Sequence, residues 1–236
     1  MLNKDALAYL VELGESQKFN VDCVVYQNGK PIEKPSAEPL HVRTLTAICE
    51  YITHDVDKNG ELLVKVDADK VAVLGPIDPS YKTRDTLMIA TMPKKDIPFG
   101  QFRPVEDWII TLQTAFERSD DWGKVMALIG NVADCQTKQF SDDGLSQCVT
   151  AQTSVASKAN VAVPSLVTLV PMIGFPDAGR VKGTYVLRAR GGSENSKPTF
   201  ALFEADAAEY QAALINKTGS WLTDALTGVD NAHVIY

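Results

Sequence analysis

The sequence has few of the residues on which most metal and catalytic sites are built. Its 236 residues include three histidines, His41, His54 and His233, and four widely spaced cysteines without a CxxC pair. Zinc sites and small disulfide frameworks need such residues at short, regular spacings. The spacing therefore gives no indication of a zinc knuckle, and it favours buried free thiols in a reducing compartment.

Excess positive charge is also lacking. The chain has 23 Lys and Arg residues against 30 Asp and Glu residues, a formal net charge of −7. An acidic chain has no general electrostatic attraction to nucleic acid or to an anionic membrane. A local basic groove remains compatible with this charge.

No apolar run is long enough to span a bilayer. The longest uncharged apolar region, residues 161–175, is interrupted by Pro164 and Pro171. The N-terminal segment alternates apolar and charged residues at helical spacing, unlike the continuous apolar region of a signal peptide. We therefore predict a protein without a membrane partner.

The common glycine-rich and nucleophile motifs are missing as well. The sequence contains no GxSxG elbow, and "GGSEN" at residues 191–195 lacks the spacing of phosphate-binding and dinucleotide-binding loops. No base is recognisable beside a Ser or Cys nucleophile. We predict no catalytic residue, no cofactor and no enzymatic activity.

The periodicity that is present predicts an α+β fold, with a largely antiparallel sheet, flanking helices and several strands in the C-terminal half. Helical spacing covers residues 41–54, residues 105–135 with a break at Ser119 to Asp121, and a C-terminal segment containing Trp221. Extended segments follow Asn59-Gly60 and continue after residue 135. We predict one domain over residues 1–236, with a flexible or extended linker near residues 28–39.

The last hairpin permits a prediction of register. Pairing around the "GGSENSK" loop sets Leu187 opposite Leu202 and Ala189 opposite Phe200. Arg188, Val186 and Phe203 then fall on the reverse face. A slip of one residue would exchange the two faces.

The segment "HDVDKNGELLVKV" begins like a calcium-binding loop. Asp55, Asp57 and Asn59 stand at alternate positions before Gly60, as in an EF-hand loop. The position that should supply the bidentate glutamate is Val66, and a strand is predicted where the second helix should begin. The incomplete ligand set favours a turn between a helix and a strand over a metal site.

Basic residues cluster in the strand region before the last hairpin loop. Arg180, Lys182, Arg188 and Arg190, interleaved with Tyr185, form a candidate site for nucleic acid or another anion, in which the tyrosine would stack on a base. The alternative is a solvated sheet face whose arginines pair with Glu204 or Asp206.

The order of these elements resembles the YfdQ-like family of phage and prophage proteins of unknown function. The resemblance is carried by "LTAICEYI", "VEDWIITL", "VPSLVTLVPMIGFPD", the hairpin "VKGTYVLRARGG…PTFALFEAD" and the ending "WLTDAL", over residues 40–226. It implies a phage or prophage origin and a place in the bacterial cytoplasm, often in early gene blocks near recombination functions. It supplies no catalytic residues.

Three functions follow as hypotheses. The first is a non-enzymatic binding protein that associates with itself, as a homo-oligomer, or with a host or phage protein through its late strands. The second is an accessory protein that binds single-stranded nucleic acid in phage recombination. The third is a structural component of the virion, which would be present in purified particles.

Overall fold

A computed structural model describes residues 4–5, 7–9, 18–21, 24–27, 30–31, 36–54, 60–79, 81–93, 95–133, 139–142, 147–154, 157–190 and 198–236. Residues 4–5 and 7–9 are helical. The longer helices are α1 (Leu45–Thr53), α2 (Val105–Ala115), α3 (Asp120–Ala133) and α4 (Ala207–Ala225). The strands are β1 (Lys18–Val21), β2 (Val24–Gln27), β3 (Lys30–Pro31), β4 (Leu40–Val42), β5 (Leu62–Val66), β6 (Lys70–Ile77), β7 (Arg84–Thr91), β8 (Arg103–Pro104), β9 (Phe116–Glu117), β10 (Gln139–Asp142), β11 (Gln147–Ser154), β12 (Ser157–Val163), β13 (Leu166–Pro171), β14 (Gly183–Arg190), β15 (Thr199–Glu204) and β16 (Ala232–Ile235).

A first five-stranded sheet has the order β16-β5-β6-β7-β4. Its three central strands are antiparallel, whereas β16 runs parallel to β5 and β4 runs parallel to β7. Because side chains alternate across a strand, one face of the sheet collects the apolar residues and packs them with residues of α1 and α4. The buried residues of this first core include Leu45, Ile48, Ile52, Val64, Val71, Val73, Phe175 and Leu222.

A second five-stranded sheet has the order β8-β15-β14-β13-β9, and every neighbouring pair is antiparallel. Helices α2 and α3 supply apolar residues to its inner face. The indole Nε1 of Trp108 on α2 donates a hydrogen bond of 2.6 Å to the carbonyl oxygen of Phe200 on β15. The buried residues of this second core include Trp108, Leu112, Phe116, Val125, Ile129, Leu169, Tyr185, Leu187 and Phe200.

Two further antiparallel sheets of three strands each complete the described strands, in the orders β1-β2-β3 and β10-β11-β12. The two large cores meet at Ile173, which packs against both. The division of the chain into one domain stays a prediction. Of the proposed linker near residues 28–39, only residues 30–31 and 36–39 are described.

The structure confirms the predicted α+β class and most of the predicted elements. Leu187 lies opposite Leu202 and Ala189 opposite Phe200, so the hairpin register is confirmed. The predicted break between two helices is also confirmed, where the hydroxyl of Ser119 accepts a hydrogen bond of 3.2 Å from the backbone N–H of Trp122. This is the bond that an N-cap serine makes.

The predicted start of the helix over residues 41–54 is wrong. Helix α1 begins at Leu45 because residues 40–42 form β4, which pairs with β7 at the edge of the first sheet. Strand β16 was not predicted at all. Both edge strands are only three or four residues long, and each pairs with a strand distant in sequence.

Gly219 lies in the middle of α4, where glycine normally lowers helix stability. The side chain of Tyr236, the residue after β16, lies directly against it, so that a methyl group at Gly219 would overlap the tyrosine ring. The missing side chain therefore gives the ring of Tyr236 its place against α4.

We predict that Gly219→Ala lowers the free energy of unfolding by up to about 1 kcal/mol, because displacing the ring of Tyr236, which is 55% exposed, outweighs the gain in helix propensity. Urea unfolding measures the change. The matched control is Gly130→Ala in α3, where no heavy atom would lie within 4 Å of the new methyl group. That control should gain up to about 1 kcal/mol from helix propensity. Equal stabilisation by both substitutions would contradict the role of Gly219, whereas recovery of the gain in a Tyr236→Ala background would support it.

Candidate functional site

The predicted basic cluster is not a single surface. Tyr185 is buried on the inner face of the second sheet, where its ring stacks on Phe99 with centroids 5.2 Å apart and an interplanar angle of 8°. The expectation that Tyr185 stacks on a base is therefore wrong. The ring packs in the second core, on the sheet face opposite to that of Arg188 and Arg190.

Arg180 has a structural role. Its guanidinium donates a hydrogen bond of 2.5 Å to the carbonyl oxygen of Gly174, and its Nε lies 3.8 Å from Oε1 of Glu117. Only 18% of its side chain is exposed. Lys217 of α4 donates in turn to the carbonyl oxygen of Arg180, at 2.7 Å. Arg180 thus fastens the segment between β13 and β14.

Of the five predicted residues, the structure brings together Arg188 and Arg190. They alternate along β14 and point away from the helices, opposite Ala201 and Thr199 of β15. Lys182 is exposed but precedes the strand. Nucleic-acid binding by this group stays a prediction, with a smaller set of residues to support it.

Two aromatic residues lie on the same sheet face as Arg190: Phe203, which the predicted register already places there, and Phe102, which the sequence does not indicate. The rings of Phe102 and Phe203 meet edge to face, with centroids 6.0 Å apart and an interplanar angle of 65°. The guanidinium carbon of Arg190 lies 3.6 Å from the centroid of Phe102, the geometry of a cation–π contact. Phe102 belongs to a loop without hydrophobic periodicity, so no sequence pattern points to its position.

Leu166, Val186 and Phe203 form an apolar row across the second sheet. The register sets Leu166 of β13 opposite Val186 of β14, and Val186 opposite Phe203 of β15. Leu166 is 59% exposed and Phe203 36% exposed. We call this surface the outer face, which comprises Phe102, Leu166, Val186, Arg188, Arg190 and Phe203.

Tyr185 of β14 and Tyr210 of α4 are both buried. Burial raises the pKa of the Tyr185 hydroxyl, and it raises the pKa of Tyr210 to about 12 although Arg180 acts in the opposite direction. The Tyr210 hydroxyl has no hydrogen-bond partner among the described residues. Both groups stay protonated near neutral pH, so neither acts there as a general base.

Residues 172–182, which we call the strap, connect β13 and β14 and also reach the first core. Phe175 is buried in that core. Oδ1 and Oδ2 of Asp177 accept hydrogen bonds of 3.3 Å from the backbone N–H groups of Thr46 and Leu45, and Oδ1 accepts one of 2.7 Å from the Thr46 hydroxyl. Thr44, at the N-cap position of α1, makes no side-chain capping bond. Asp177 therefore caps α1 from a distant part of the chain.

These hydrogen bonds determine the ionisation of Asp177. Partial burial raises the pKa of the carboxyl group, but the bonds from Thr46 and from backbone N–H groups outweigh burial, and the pKa is lowered overall. A lowered folded-state pKa means that the carboxylate stabilises the fold above its unfolded-state pKa of about 3.9. This stabilisation is lost as the pH falls through the folded-state value.

We predict that Asp177→Ala lowers the free energy of unfolding by about 1 kcal/mol at pH 7, the usual cost of losing an N-cap acceptor. The difference from wild type should shrink below about pH 4, as the wild-type carboxylate becomes protonated. Urea unfolding between pH 3 and pH 7 measures it. Glu38→Ala, which removes an exposed carboxylate outside the helices and strands, is the control. A difference that does not change with pH would contradict the cap.

The possible calcium ligands Asp55, Asp57 and Asn59 lie outside the described residues. Gly60, which follows them, has a positive φ of 73°, and the chain continues as the predicted strand β5. Within the described ranges no group of three or more His, Cys, Asp or Glu side chains is arranged to hold a metal ion.

The three histidines lie apart from one another. His54 is exposed, with its Nε2 3.0 Å from a carboxylate oxygen of Glu50, which precedes it by four residues. His41 and His233 lie on strands at opposite edges of the first sheet.

An open cleft of about 300 Å³ lies between the loop before β8 and the first turns of α2. It is lined by Asp96, Pro98, Arg103, Asp107, Ile110 and Thr111. The lining combines two carboxylates, one guanidinium group and an exposed isoleucine side chain. Sequence reasoning did not find this cleft, because its residues come from a loop, an edge strand and one helix face.

Comparison of the chain with protein-family models, curated proteins and solved structures finds no match. Among the described residues, no helix has the length and apolar character needed to cross a bilayer.

Proposed function

We propose that this protein is a non-enzymatic binding protein of phage or prophage origin. It acts in the bacterial cytoplasm by associating with itself or with another protein, through the outer face of its second sheet. The origin and the compartment are supported by the resemblance of the sequence pattern to the YfdQ-like family. The contact surface is supported by the geometry of the sheet.

The single observation that carries the proposal is the apolar row of Leu166, Val186 and Phe203. An antiparallel sheet with one solvated face ordinarily shows polar side chains there. Here three neighbouring strands instead align apolar side chains, beside Phe102 and Arg190. Aromatic residues and arginine are enriched in protein interfaces, where an apolar centre is surrounded by a polar rim. This face has that composition.

We predict that Phe203→Asp weakens association at least about tenfold, equivalent to about 1.4 kcal/mol, because it places a charge in the apolar row. Light scattering coupled to size-exclusion chromatography measures self-association, and a pull-down from a bacterial lysate measures association with other proteins. Leu166→Asp should have a similar effect. The control is Ile77→Asp, which changes a residue that is 56% exposed on the first sheet.

Strict monomers of the wild-type chain at micromolar concentration, together with no partner retained in the pull-down, would overturn the proposed function. Equal loss of association in Phe203→Asp and Ile77→Asp would overturn the assignment of the surface. Unchanged thermal midpoints in all three variants are required, so that loss of binding is separated from loss of folding.

A second candidate function is binding of single-stranded nucleic acid. It is favoured by one observation: the ring of Phe102 contacts both the partly exposed ring of Phe203 and the guanidinium of Arg190. Aromatic rings stack on bases and guanidinium groups contact phosphates, which together make the usual platform for single strands. Against it stands the net charge of −7.

A mobility shift at low salt, with single-stranded DNA and RNA oligonucleotides, tests this candidate. We expect retardation by the wild-type chain that weakens with added salt and with Arg190→Ala, because phosphate contacts release counterions. Lys70→Ala, on the first sheet, is the control and should leave the shift unchanged. Absence of retardation at low salt would rule out the candidate.

A further inference from the structure

We propose that the partner of the outer face is a second copy of this chain, and that the outer face docks on the acidic cleft beside α2. In this contact Arg190 enters the cleft between Asp96 and Asp107, and the apolar row covers Ile110. The inference rests on the proposed function, to which it adds the identity of the partner.

The cleft has the charge to receive a guanidinium group. Asp96 and Asp107 contribute two carboxylates, against one guanidinium from Arg103. Arg103 already donates a hydrogen bond of 2.8 Å to the side-chain oxygen of Gln101. The carboxylates therefore outnumber the cation, and a second guanidinium completes the charge balance.

The cleft also has an apolar side. Ile110 is 52% exposed and follows Asp107 by three residues, so both lie on the same face of α2. The hydroxyl of Thr111 donates a hydrogen bond of 2.7 Å to the backbone carbonyl oxygen of Asp107, and not to the side-chain carboxylate of Asp107. A carboxylate and an exposed aliphatic side chain thus stand side by side.

The outer face is complementary in both respects. Among the outward positions of β14 and β15, Arg190 supplies an exposed positive charge. Arg190 stands at the edge of the apolar row, against Phe102. Docking one outer face on another would bring arginines of like charge together. Docking it on the cleft brings opposite charges together and buries Ile110 against apolar side chains.

The two surfaces lie on opposite sides of the edge strand β8. Arg103, which lines the cleft, pairs with Phe200 of the inner face, whereas Phe102 contacts Phe203 of the outer face. One molecule can therefore offer its outer face to one neighbour and its cleft to another. Such a heterologous contact produces rings or open chains of molecules.

A charge exchange tests this contact directly. Arg190→Glu reverses the charge on the outer face, and Asp107→Lys reverses it in the cleft. Each variant alone should lose self-association at least about tenfold, equivalent to about 1.4 kcal/mol. An equimolar mixture should recover it, since each mutated surface then meets a complementary surface on the other chain. Sedimentation velocity measures the mass of each single variant and of the mixture.

Matched controls are available in the first sheet and in α4. Lys70→Glu makes the same change in charge on an exposed strand residue, and Glu209→Lys repeats the reversal in the first turn of another helix. Neither should alter association. Asp96→Lys, in the loop that lines the cleft, replaces Asp107→Lys if that variant does not retain the wild-type thermal midpoint.

The outcomes separate this inference from the proposed function. Self-association that is lost in Phe203→Asp but retained in both cleft variants would overturn docking on the cleft and leave the outer face as the binding surface. A mixture that fails to recover association would also overturn the docking. If the wild-type chain is monomeric and retains another protein in the pull-down that Phe203→Asp does not retain, the partner is not a second copy of this chain. Association unaffected by Phe203→Asp would overturn the outer face as the binding surface, and this docking with it, whereas a strictly monomeric chain that retains no partner would overturn the proposed function itself.

Discussion

The carboxylate of Asp177 accepts hydrogen bonds from the beginning of a helix 132 positions earlier in the chain, and this contact joins the connection between β13 and β14 to the first core. The strap that carries Asp177 leaves the second sheet at β13 and returns to it at β14. Phe175 enters the first core, while Arg180 binds Gly174 within the strap and approaches Glu117 of β9. Because a helix begins with unsatisfied N–H groups, α1 needs an acceptor that Thr44 does not provide. A segment of the second sheet provides it.

The two faces of the second sheet differ: the inner face packs in the second core, and the outer face is the proposed contact surface. Its inner face is fixed by α2 and α3, where the indole of Trp108 donates to the backbone of β15 within an apolar core. This rigid packing holds the strands in register, and the register aligns Leu166, Val186 and Phe203 on the other side. In the proposed function, this support orders the outer face before a partner arrives, which lowers the entropic cost of association.

The predictable part of the fold was the part governed by local pattern. Alternation along β14 and β15 was sufficient for the hairpin register, and helical spacing with Ser119 was sufficient for α2 and α3. The same register already places Tyr185 on the same sheet face as Leu187 and Ala189, which is the inner face. Its expected role in stacking on a base was therefore inconsistent with the predicted hairpin. The arginine pattern alone does not distinguish the two faces, whereas the apolar alternation does.

What sequence reasoning missed depends on partners distant in the chain. Strands β4 and β16 have few residues and gain their structure from parallel neighbours. The cap from Asp177 joins residues that no local motif connects. Phe102 and the cleft residues acquire their positions from the turn at Gly100, whose N–H donates to the carbonyl oxygen of Leu202 at 2.7 Å. These contacts close long loops of chain, and their energies have no signature in a window of ten or fifteen residues.

The parallel pairing of β16 with β5 also has a consequence for the order of folding. Ala232 lies beside Leu62, so the edge of the first sheet closes only after the second sheet and α4 have been synthesised. During translation, until β16 has been synthesised, the edge of β5 that pairs with β16 keeps a row of unpaired backbone N–H and C=O groups. Contacts between residues so far apart in sequence form slowly. We therefore expect the first core to complete its folding after the second core. Its open strand edge is exposed to incorrect pairing with other strands for longer during synthesis.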